Sequence, residues 1–155
     1  MNIEIERKFL VKKIPDNCES SLHIKQYYIH VDQYFVQRLR FFDNKKAIIS
    51  LKQNCSGLSR YEFEYEIPLE DGKKIVSMTN SKFIEKIRHI IYFDSMKWEV
   101  DEFLNDNLGL VIAEVELESE KQHIKLPDWV TDEVTNQNKY FNYNLALRPY
   151  ISWKH

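Results

Sequence analysis

The feature that most constrains the fold of this chain is a strict alternation of charged and apolar residues, which recurs along most of its length. Successive side chains of a β-strand point to opposite faces, so a period of two predicts strands with one charged and one apolar face. The runs of alternation cover residues 3–11, 25–30, 34–42, 46–53, 60–67, 85–93, 97–103 and 110–118. Eight strands of this kind indicate a β-barrel or a β-sandwich.

Turn residues separate these runs and mark the remaining elements. Asp43-Asn44, Ser56-Gly57 and the polar stretch 105–107 before Leu108-Gly109 predict hairpin turns or loops. Residues 70–78 predict a short helix with acidic residues in its first turn, and residues 132–147 predict one or two helices that end before Pro149. Because no internal repeat and no linker rich in Pro, Gly or Ser is visible, we expect one domain over residues 1–155, of mainly β (α+β) class.

Composition and charge exclude several classes of protein. The chain is 43% hydrophobic and 30% charged with only 3 glycines and 4 prolines, which excludes disordered and collagen-like chains. Its formal net charge of -2 provides no overall basic field, so no nucleic-acid partner is expected. A polyanion would therefore have to be bound by a local cluster of cations.

The sequence favours a cytoplasmic protein. Cys18 and Cys55 lie far apart and match no CxxC pattern, which is typical of reduced thiols. The first residues lack the apolar stretch of a signal peptide, and nowhere do about 18 apolar residues occur together, so neither export nor a membrane span is expected.

Every second residue of a strand lies on the same face, and in these runs one of the two faces is almost entirely charged. Its carboxylates are Glu4, Glu6, Glu62, Glu64, Glu66, Glu99, Asp101, Glu114, Glu116 and Glu118, and its cations are Lys8, Arg38, Arg40, Lys52, Lys86 and Arg88. A sheet with one solvated face explains any single strand, but solvated faces mix signs, whereas here whole strands carry one sign. If the strands close into a barrel, the charged face becomes its interior, where divalent cations and an anionic ligand would balance the charge.

Other means of binding or cleaving phosphate are missing from the sequence. Gly57, Gly72 and Gly109 form neither a P-loop nor a GxGxxG turn, so Arg and Lys side chains must hold any phosphate. The 5 histidines show no HExxH spacing, and no GxSxG motif is present. Carboxylates are hard oxygen ligands, which favours Mg²⁺ or Mn²⁺ as the cofactor.

These residues resemble one known family, the CYTH or triphosphate tunnel metalloenzyme family, over nearly the whole chain. The segment Glu4-Ile5-Glu6-Arg7-Lys8 is similar to the ExExK signature of that family. Further matches follow in order: Arg38-Leu39-Arg40, the strand ending in Lys52, residues 60–68, Glu85-Lys86-Ile87-Arg88, residues 98–103 and residues 113–118. Within the family, the chain is most similar to the short bacterial members of the inorganic triphosphatase type.

The resemblance implies an eight-stranded antiparallel β-barrel tunnel with a few flanking helices. It also implies metal-dependent hydrolysis of the terminal phosphate of a small-molecule substrate, inorganic triphosphate, with nucleoside triphosphates as further substrates. The positions that match triphosphate-binding residues are Lys8, Arg38, Arg40, Lys52, Lys86 and Arg88. The positions assigned to metal are Glu4, Glu6, Asp101, Glu114, Glu116 and Glu118. We expect a glutamate, Glu62 or Glu64, to orient the attacking water.

Two alternatives stay open at this stage. A class IV adenylyl cyclase resembles the same motif set but directs a ribose 3′-hydroxyl at the α-phosphate, and a polyphosphate-binding module would bind without turnover. Because the charged positions lack aromatic side chains, we expect inorganic triphosphate to be preferred over ATP by at least about tenfold in kcat/KM. The sequence indicates no oligomeric state and does not rank Mg²⁺ against Mn²⁺.

Overall fold

Strands dominate the part of the chain that the computed structural model describes, which is residues 2–54 and 58–153. The strands are β1 (Ile3–Val11), β2 (Ser20–Val31), β3 (Phe35–Phe42), β4 (Lys46–Gln53), β5 (Ser59–Ile67), β6 (Lys82–Phe93), β7 (Met96–Phe103), β8 (Val111–Glu116) and β9 (Val130–Glu133). The helices are α1 (Leu69–Ser77) and α2 (Asn142–Leu147). Each predicted strand corresponds to one of β1 to β8, although β2 begins well before Lys25 and β8 ends before Glu118.

The first eight strands close into an antiparallel barrel. Their order is β5-β4-β3-β2-β6-β7-β8-β1, and a further pairing between β1 and β5 completes the circle. Residues 3–5 of β1 pair with β5, whereas residues 6–10 pair with β8 on the opposite edge. The prediction of a mainly β protein with an eight-stranded antiparallel barrel is therefore confirmed.

Tight turns join neighbouring strands of the barrel. Asp43 and Asn44 have φ values of 51° and 55°, and they lie in the three-residue connection between β3 and β4, where a turn was predicted. Asp94 and Ser95, with φ values of 51° and 62°, make a two-residue turn between β6 and β7. Two positive φ values match the right-handed twist of the strands that such a turn connects. The predicted turn at Ser56-Gly57, like Cys55, lies outside the described residues.

The outward faces of the barrel are apolar over much of their area and pack against two outer layers. Helix α1 covers Leu39, Phe41 and Ala47 of β3 and β4. It lies so close that a Cβ atom on Gly72 would be 3.0 Å from the Cβ of Ala47, which explains a glycine in this helix. On the other side, the segment that follows β8 covers the fully buried Trp98 and its neighbours on β1, β7 and β8.

The C-terminal region differs from the prediction of one or two helices over residues 132–147. Residues 130–133 form β9, and helix is limited to α2 and a short 3-10 helix at Asn138–Tyr140. β9 pairs with residues 9–11 of β1, on the edge that β5 leaves open. Arg7 reinforces this pairing through two hydrogen bonds to the Glu133 carboxylate, at 2.9 and 2.7 Å. The predicted helix at residues 70–78 is confirmed as α1.

Trp98 provides a test of the outer apolar layer. Its ring centroid lies 5.7 Å from that of Phe9 and 5.5 Å from that of Trp129, and none of its surface is exposed. We expect Trp98→Ala to lower the free energy of unfolding by about 3–5 kcal/mol, because it leaves a cavity in packed surroundings. The matched control is Tyr92→Ala on β6, where the ring is 55% exposed and the expected change is within about 0.5 kcal/mol. Chemical denaturation measures both, and equal losses in the two variants would contradict this account of the core.

Candidate active site

The inward faces of the barrel strands surround one cavity of about 910 Å³. Residues predicted for the site line it from six of the eight strands: Glu4, Glu6, Lys8, Arg38, Arg40, Lys52, Glu62, Glu64, Lys86, Arg88, Glu114 and Glu116. Alternation and barrel closure together produce this arrangement, because the charged face of each of these six strands turns to the inside. The alternative of an open sheet with a solvated charged face is therefore wrong for these strands.

Lys52 joins two carboxylates from neighbouring strands. Its Nζ lies 3.1 Å from Glu4 Oε1 and 3.1 Å from Glu62 Oε2. Arg38 Nη2 approaches the same Glu62 oxygen at 3.7 Å and donates a hydrogen bond to Ser50 Oγ at 3.3 Å. Ser50 in turn donates to Glu64 Oε2 at 3.3 Å, which is the contact that holds Glu64. Burial, followed by the attraction of Lys52 and the repulsion of Glu62, leaves the pKa of Glu4 above its ordinary value.

A second cluster contains Glu6, Lys8 and Glu114. Lys8 Nζ lies 3.8 Å from Glu6 Oε1 and 3.7 Å from Glu114 Oε1, and these two carboxylates belong to paired strands. Burial and the neighbouring Glu114 charge raise the pKa of Glu6 to about 8. Burial also opposes ionisation of Glu114, but the charges of Lys8, Arg88 and Lys86 outweigh it and hold that pKa below its ordinary value. The cluster therefore holds more carboxyl groups than its cations can neutralise.

Asp101 lies behind the cavity wall and contacts two of the predicted phosphate-binding residues. It is 1% exposed and is absent from the cavity lining. Lys86 Nζ donates to its Oδ2 at 2.6 Å, and Arg88 donates to both of its oxygens, at 2.8 and 2.9 Å. Arg88 also donates to Glu99 at 2.8 Å. These contacts occupy both oxygens of Asp101, so the geometry favours a role in positioning Lys86 and Arg88, and its assignment to metal stays a prediction.

The glutamates of the last barrel strand differ in their surroundings. Glu116 is the last residue of β8 and lines the cavity, and burial and the nearby Glu4 raise its pKa. Glu118 lies beyond the strand, is exposed, and is absent from the lining. Its backbone N–H donates to the Gln122 side chain, which fixes the turn there. The metal role of Glu118 stays a prediction that its position does not favour.

Two further cations line the cavity and were missed by the sequence interpretation. Arg60 stands two residues before Glu62 on β5, and Lys97 stands two residues before Glu99 on β7. Both follow the same alternation as the predicted charged positions, so the alternation alone would have identified them. Lys97 lies near Glu116, whose pKa it lowers in part.

The C-terminal segment places side chains at the cavity that no strand pattern could predict. Asn142, the first residue of α2, accepts a hydrogen bond from Lys86 Nζ at 2.9 Å. The ring of Phe141 lies 5.1 Å from Lys8 Nζ, and the ring of Tyr143 lies 5.2 Å from that of Tyr28. Tyr28, which is not among the charged positions, also lines the cavity, and burial raises its pKa to about 12. Both lysines at this end of the barrel are therefore in contact with the C-terminal segment.

The cavity also has an apolar portion that the sequence interpretation did not foresee. Leu22, Phe42, Ile48 and Ile90 line it from four strands that are neighbours in the order β4-β3-β2-β6. The Arg40 guanidinium carbon lies 5.9 Å from the centre of the Phe42 ring. The expectation that the interior lacks a surface for an organic group rested on the charged positions alone. It is incomplete, because apolar residues on the same inward faces also line the cavity.

The carboxylates of the cavity fit a hard divalent cation by their chemistry. Glu4 Oε1 and Glu62 Oε2 are buried and form no hydrogen bond, although Lys52 lies close to both. Within residues 2–54 and 58–153, no three acidic, His or Cys side chains already converge as a complete metal site. Oxygen atoms from a phosphate ligand and water would complete the coordination, as is usual for Mg²⁺. The raised pKa values of Glu4, Glu6 and Glu116 indicate the excess of carboxyl groups that a cation would relieve.

Comparison with known proteins agrees with this architecture. An inorganic triphosphatase of Acetivibrio thermocellus is 41% identical over 156 residues, covering 99% of this chain and 99% of the relative. An inorganic triphosphatase of Nitrosomonas europaea is 31% identical over 147 residues, covering 93% and 97%. A crystal structure of an inorganic triphosphatase, 30% identical, matches with a TM-score of 0.68 over 93% of this chain and 94% of the other. None of the helices in the described part of the chain is long and apolar enough to cross a membrane.

The family model for the CYTH domain matches residues 2–150, nearly the whole chain. Membership implies a divalent metal ion, which agrees with the donor set of the cavity. From its barrel, its charged interior and these matches, the chain belongs to the CYTH domain family.

Proposed function

We propose that this protein hydrolyses the terminal phosphate of inorganic triphosphate inside the barrel cavity, with Mg²⁺ or Mn²⁺ as cofactor. The observation that carries the proposal is a cavity inside a closed barrel, in which inward-facing cations and carboxylates from most strands meet. Two relatives named inorganic triphosphatases, 41% and 31% identical, support the choice of substrate.

Arginine side chains supply free donors for the phosphate oxygens. The Nε atoms of Arg38 and Arg40 are buried and make no hydrogen bond within the protein. A buried donor without a partner is costly unless a ligand satisfies it, so both atoms are suited to an anion in the cavity. Lys8, Lys52 and Lys86 each contact a carboxylate that holds the side chain in place. Because an ammonium group has three donors, each lysine keeps donor capacity for phosphate.

The carboxylates Glu4, Glu6, Glu114 and Glu116 would hold the cation. When bound there, a divalent cation neutralises charge on the phosphate oxygens. The chain contributes the geometry: Lys8 stands between Glu6 and Glu114, and the pairing of β1 with β8 brings these two carboxylates together.

One of the two glutamates on β5 orients the attacking water in this proposal. Glu62 is neutralised by Lys52 and lies near Arg38, whereas Glu64 accepts a hydrogen bond from Ser50 at 3.3 Å. Glu64 is therefore the better acceptor for a proton of water. The water oxygen forms a bond to the terminal phosphorus, the bond to the bridging oxygen breaks, and pyrophosphate leaves. Positioning and charge neutralisation supply most of the acceleration in such a reaction.

Two rival functions are separated by the products they give. An adenylyl cyclase would form cyclic AMP and pyrophosphate from ATP without releasing terminal phosphate. A polyphosphate-binding module would bind triphosphate without turnover at any metal concentration. Measurement of phosphate and cyclic AMP in the same reactions distinguishes all three.

The first expected outcome concerns the metal. We expect phosphate release from triphosphate to require Mg²⁺ or Mn²⁺ and to fall by at least about 100-fold in Glu6→Gln, because the amide keeps the shape but removes a charged ligand. The matched control is Glu85→Gln, whose carboxylate contacts His23 on the outer face. Turnover that persists in excess EDTA would contradict the metal assignment.

The second expected outcome concerns the binding of triphosphate by cationic side chains. We expect Arg40→Ala to lower kcat/KM for triphosphate by roughly 10- to 100-fold, since a hydrogen bond to a charged group contributes about 1.5–3 kcal/mol. Lys25→Ala is the control, because Lys25 lies over the rings of Tyr27 and Phe83 on the outer face. Melting curves check that both variants are folded. Wild-type kinetics in Arg40→Ala would remove Arg40 from the site.

The third concerns the choice between inorganic triphosphate and ATP. We keep the expectation of at least about tenfold preference for inorganic triphosphate, which corresponds to about 1.4 kcal/mol. The apolar lining around Phe42 favours hydrolysis of nucleoside triphosphates as a second activity. We therefore expect Phe42→Ala to lower kcat/KM for ATP more than for triphosphate, measured in competition at fixed metal. Equal losses for both substrates would show that Phe42 does not contact the nucleoside.

A further inference from the structure

One sector of the outer barrel surface is apolar, and part of it is covered by no described element. The outward side chains of β3, β4 and β5 include no charged residue, in a chain of which 30% is charged. Helix α1 covers one half of this sector, around Leu39, Phe41 and Ala47. The other half, which we call the β5 face, consists of Phe35, Gln37, Leu51, Gln53, Tyr61, Phe63 and Tyr65, and it is bordered by Ile49, which packs against the cluster under α1.

Strand register shows that the β5 face is continuous. Gln37, Leu51 and Phe63 form one row across the three strands, and Ile49 and Tyr65 form the next. Tyr61 stands beside Ile3 of β1, so the apolar surface continues across the barrel closure. Four aromatic side chains of the face are exposed: Phe35 by 39%, Tyr61 by 54%, Phe63 by 37% and Tyr65 by 57%.

The exposed aromatic area of the β5 face can be measured against the area of a standard protein interface. Together these four residues expose the equivalent of nearly two whole aromatic side chains, on the order of 400 Å². The largest apolar patch on a monomeric protein commonly measures about 300–600 Å² and is often functional, and this patch falls in that range. It is also about half of the roughly 800 Å² that each partner contributes to a standard interface, before the aliphatic and Gln residues of the face are counted.

We propose that the β5 face associates with the same face of a second copy of this chain, forming a two-fold symmetric dimer. A partner for this face must itself be uncharged, because burying an unpaired charge against it would be costly. The other uncovered face of the barrel does not meet that condition. On β2, β6 and β7 it carries His23 paired with Glu85, and His89 paired with Glu102.

A two-fold interface satisfies the condition directly. Each face meets an identical uncharged face, and aromatic rings with hydroxyl groups at their tips suit a surface that is buried at its centre and wet at its rim. The net charge of -2 adds little repulsion between the two copies. A lipid surface is disfavoured because no Lys or Arg projects from the β5 face to meet anionic headgroups.

The consequence for the enzyme lies on the opposite side of the same strand. β5 carries Arg60, Glu62 and Glu64 toward the cavity, alternating with Tyr61, Phe63 and Tyr65 on the outside. Association through the outer side chains would therefore order the strand that supplies the glutamates proposed to orient water. The catalytic cavity itself is complete within one copy, so the dimer is not required for its assembly.

Sedimentation velocity over a range of micromolar concentrations tests the dimer. We expect the wild-type mass to rise from 18.8 kDa to twice that value, and Phe63→Glu and Tyr65→Glu to remain at the monomer mass. Tyr92→Glu is the control, because Tyr92 is similarly exposed, at 55%, but lies outside the β5 face. Melting curves check folding. If Phe63→Glu is unstable, Tyr65→Glu carries the test, since that side chain is the more exposed of the two.

A charge-complementation experiment tests the two-fold geometry. An equimolar mixture of Phe63→Glu and Phe63→Lys should recover the dimer mass at low salt, because the introduced charges face each other only when identical faces meet. Each variant alone should stay monomeric. Three results would overturn the proposal: a wild-type monomer at every concentration, a dimer that persists in Phe63→Glu and Tyr65→Glu, or a monomer that sediments with neutral phosphatidylcholine vesicles.

Discussion

Closing a charged sheet face on itself is the constraint on which the rest of this structure depends. An interior lined by carboxylates and cations is stable only if nearly every charge has a partner of opposite sign. The described residues meet this requirement with chains of ion pairs, such as Glu4 with Lys52 with Glu62, and Lys86 with Asp101 with Arg88. Closure itself depends on β1, which pairs with β8, β5 and β9 through different parts of its length.

Some charges and hydrogen-bond donors of this interior stay without a sufficient partner in the protein, and these groups make the cavity a ligand-binding site. Glu6 keeps a raised pKa although Lys8 lies 3.8 Å away, because burial and Glu114 outweigh that attraction. On the opposite wall, Arg38 and Arg40 have buried Nε atoms without hydrogen-bond partners. An excess of carboxyl groups on one side and of free donors on the other matches a complex of a cation with a polyphosphate, and such unsatisfied groups commonly trade stability for function.

The sequence predicted the strands and most lining residues because both depend on local alternation. Parity and resemblance identified Lys8, Arg38 and Glu114 without knowledge of the barrel, and the structure brings them to one cavity. Alternation shows which face of a strand a residue lies on, but it does not show whether the residue reaches the cavity or lies behind its wall. Asp101 was therefore grouped with the metal ligands, although Lys86 and Arg88 occupy its oxygens. The hydrogen bond between Lys86 and Asn142 and the pairing of β9 with β1 could not be predicted from local alternation, because they join residues more than 50 apart in the chain.

The outer surface of the barrel shows what decides whether an apolar strand face is covered. The faces of β1, β7 and β8 are covered by the chain that follows β8, and part of β3 and β4 is covered by α1, because each covering segment begins close to the strands it packs on. α1 follows β5 directly, yet its 9 residues lie along only one half of the sector. About 13 Å of helix cannot span both halves. The remaining half therefore keeps its exposed Tyr and Phe side chains, and the same alternation that fills the cavity with charge leaves an uncharged surface for association on its outside.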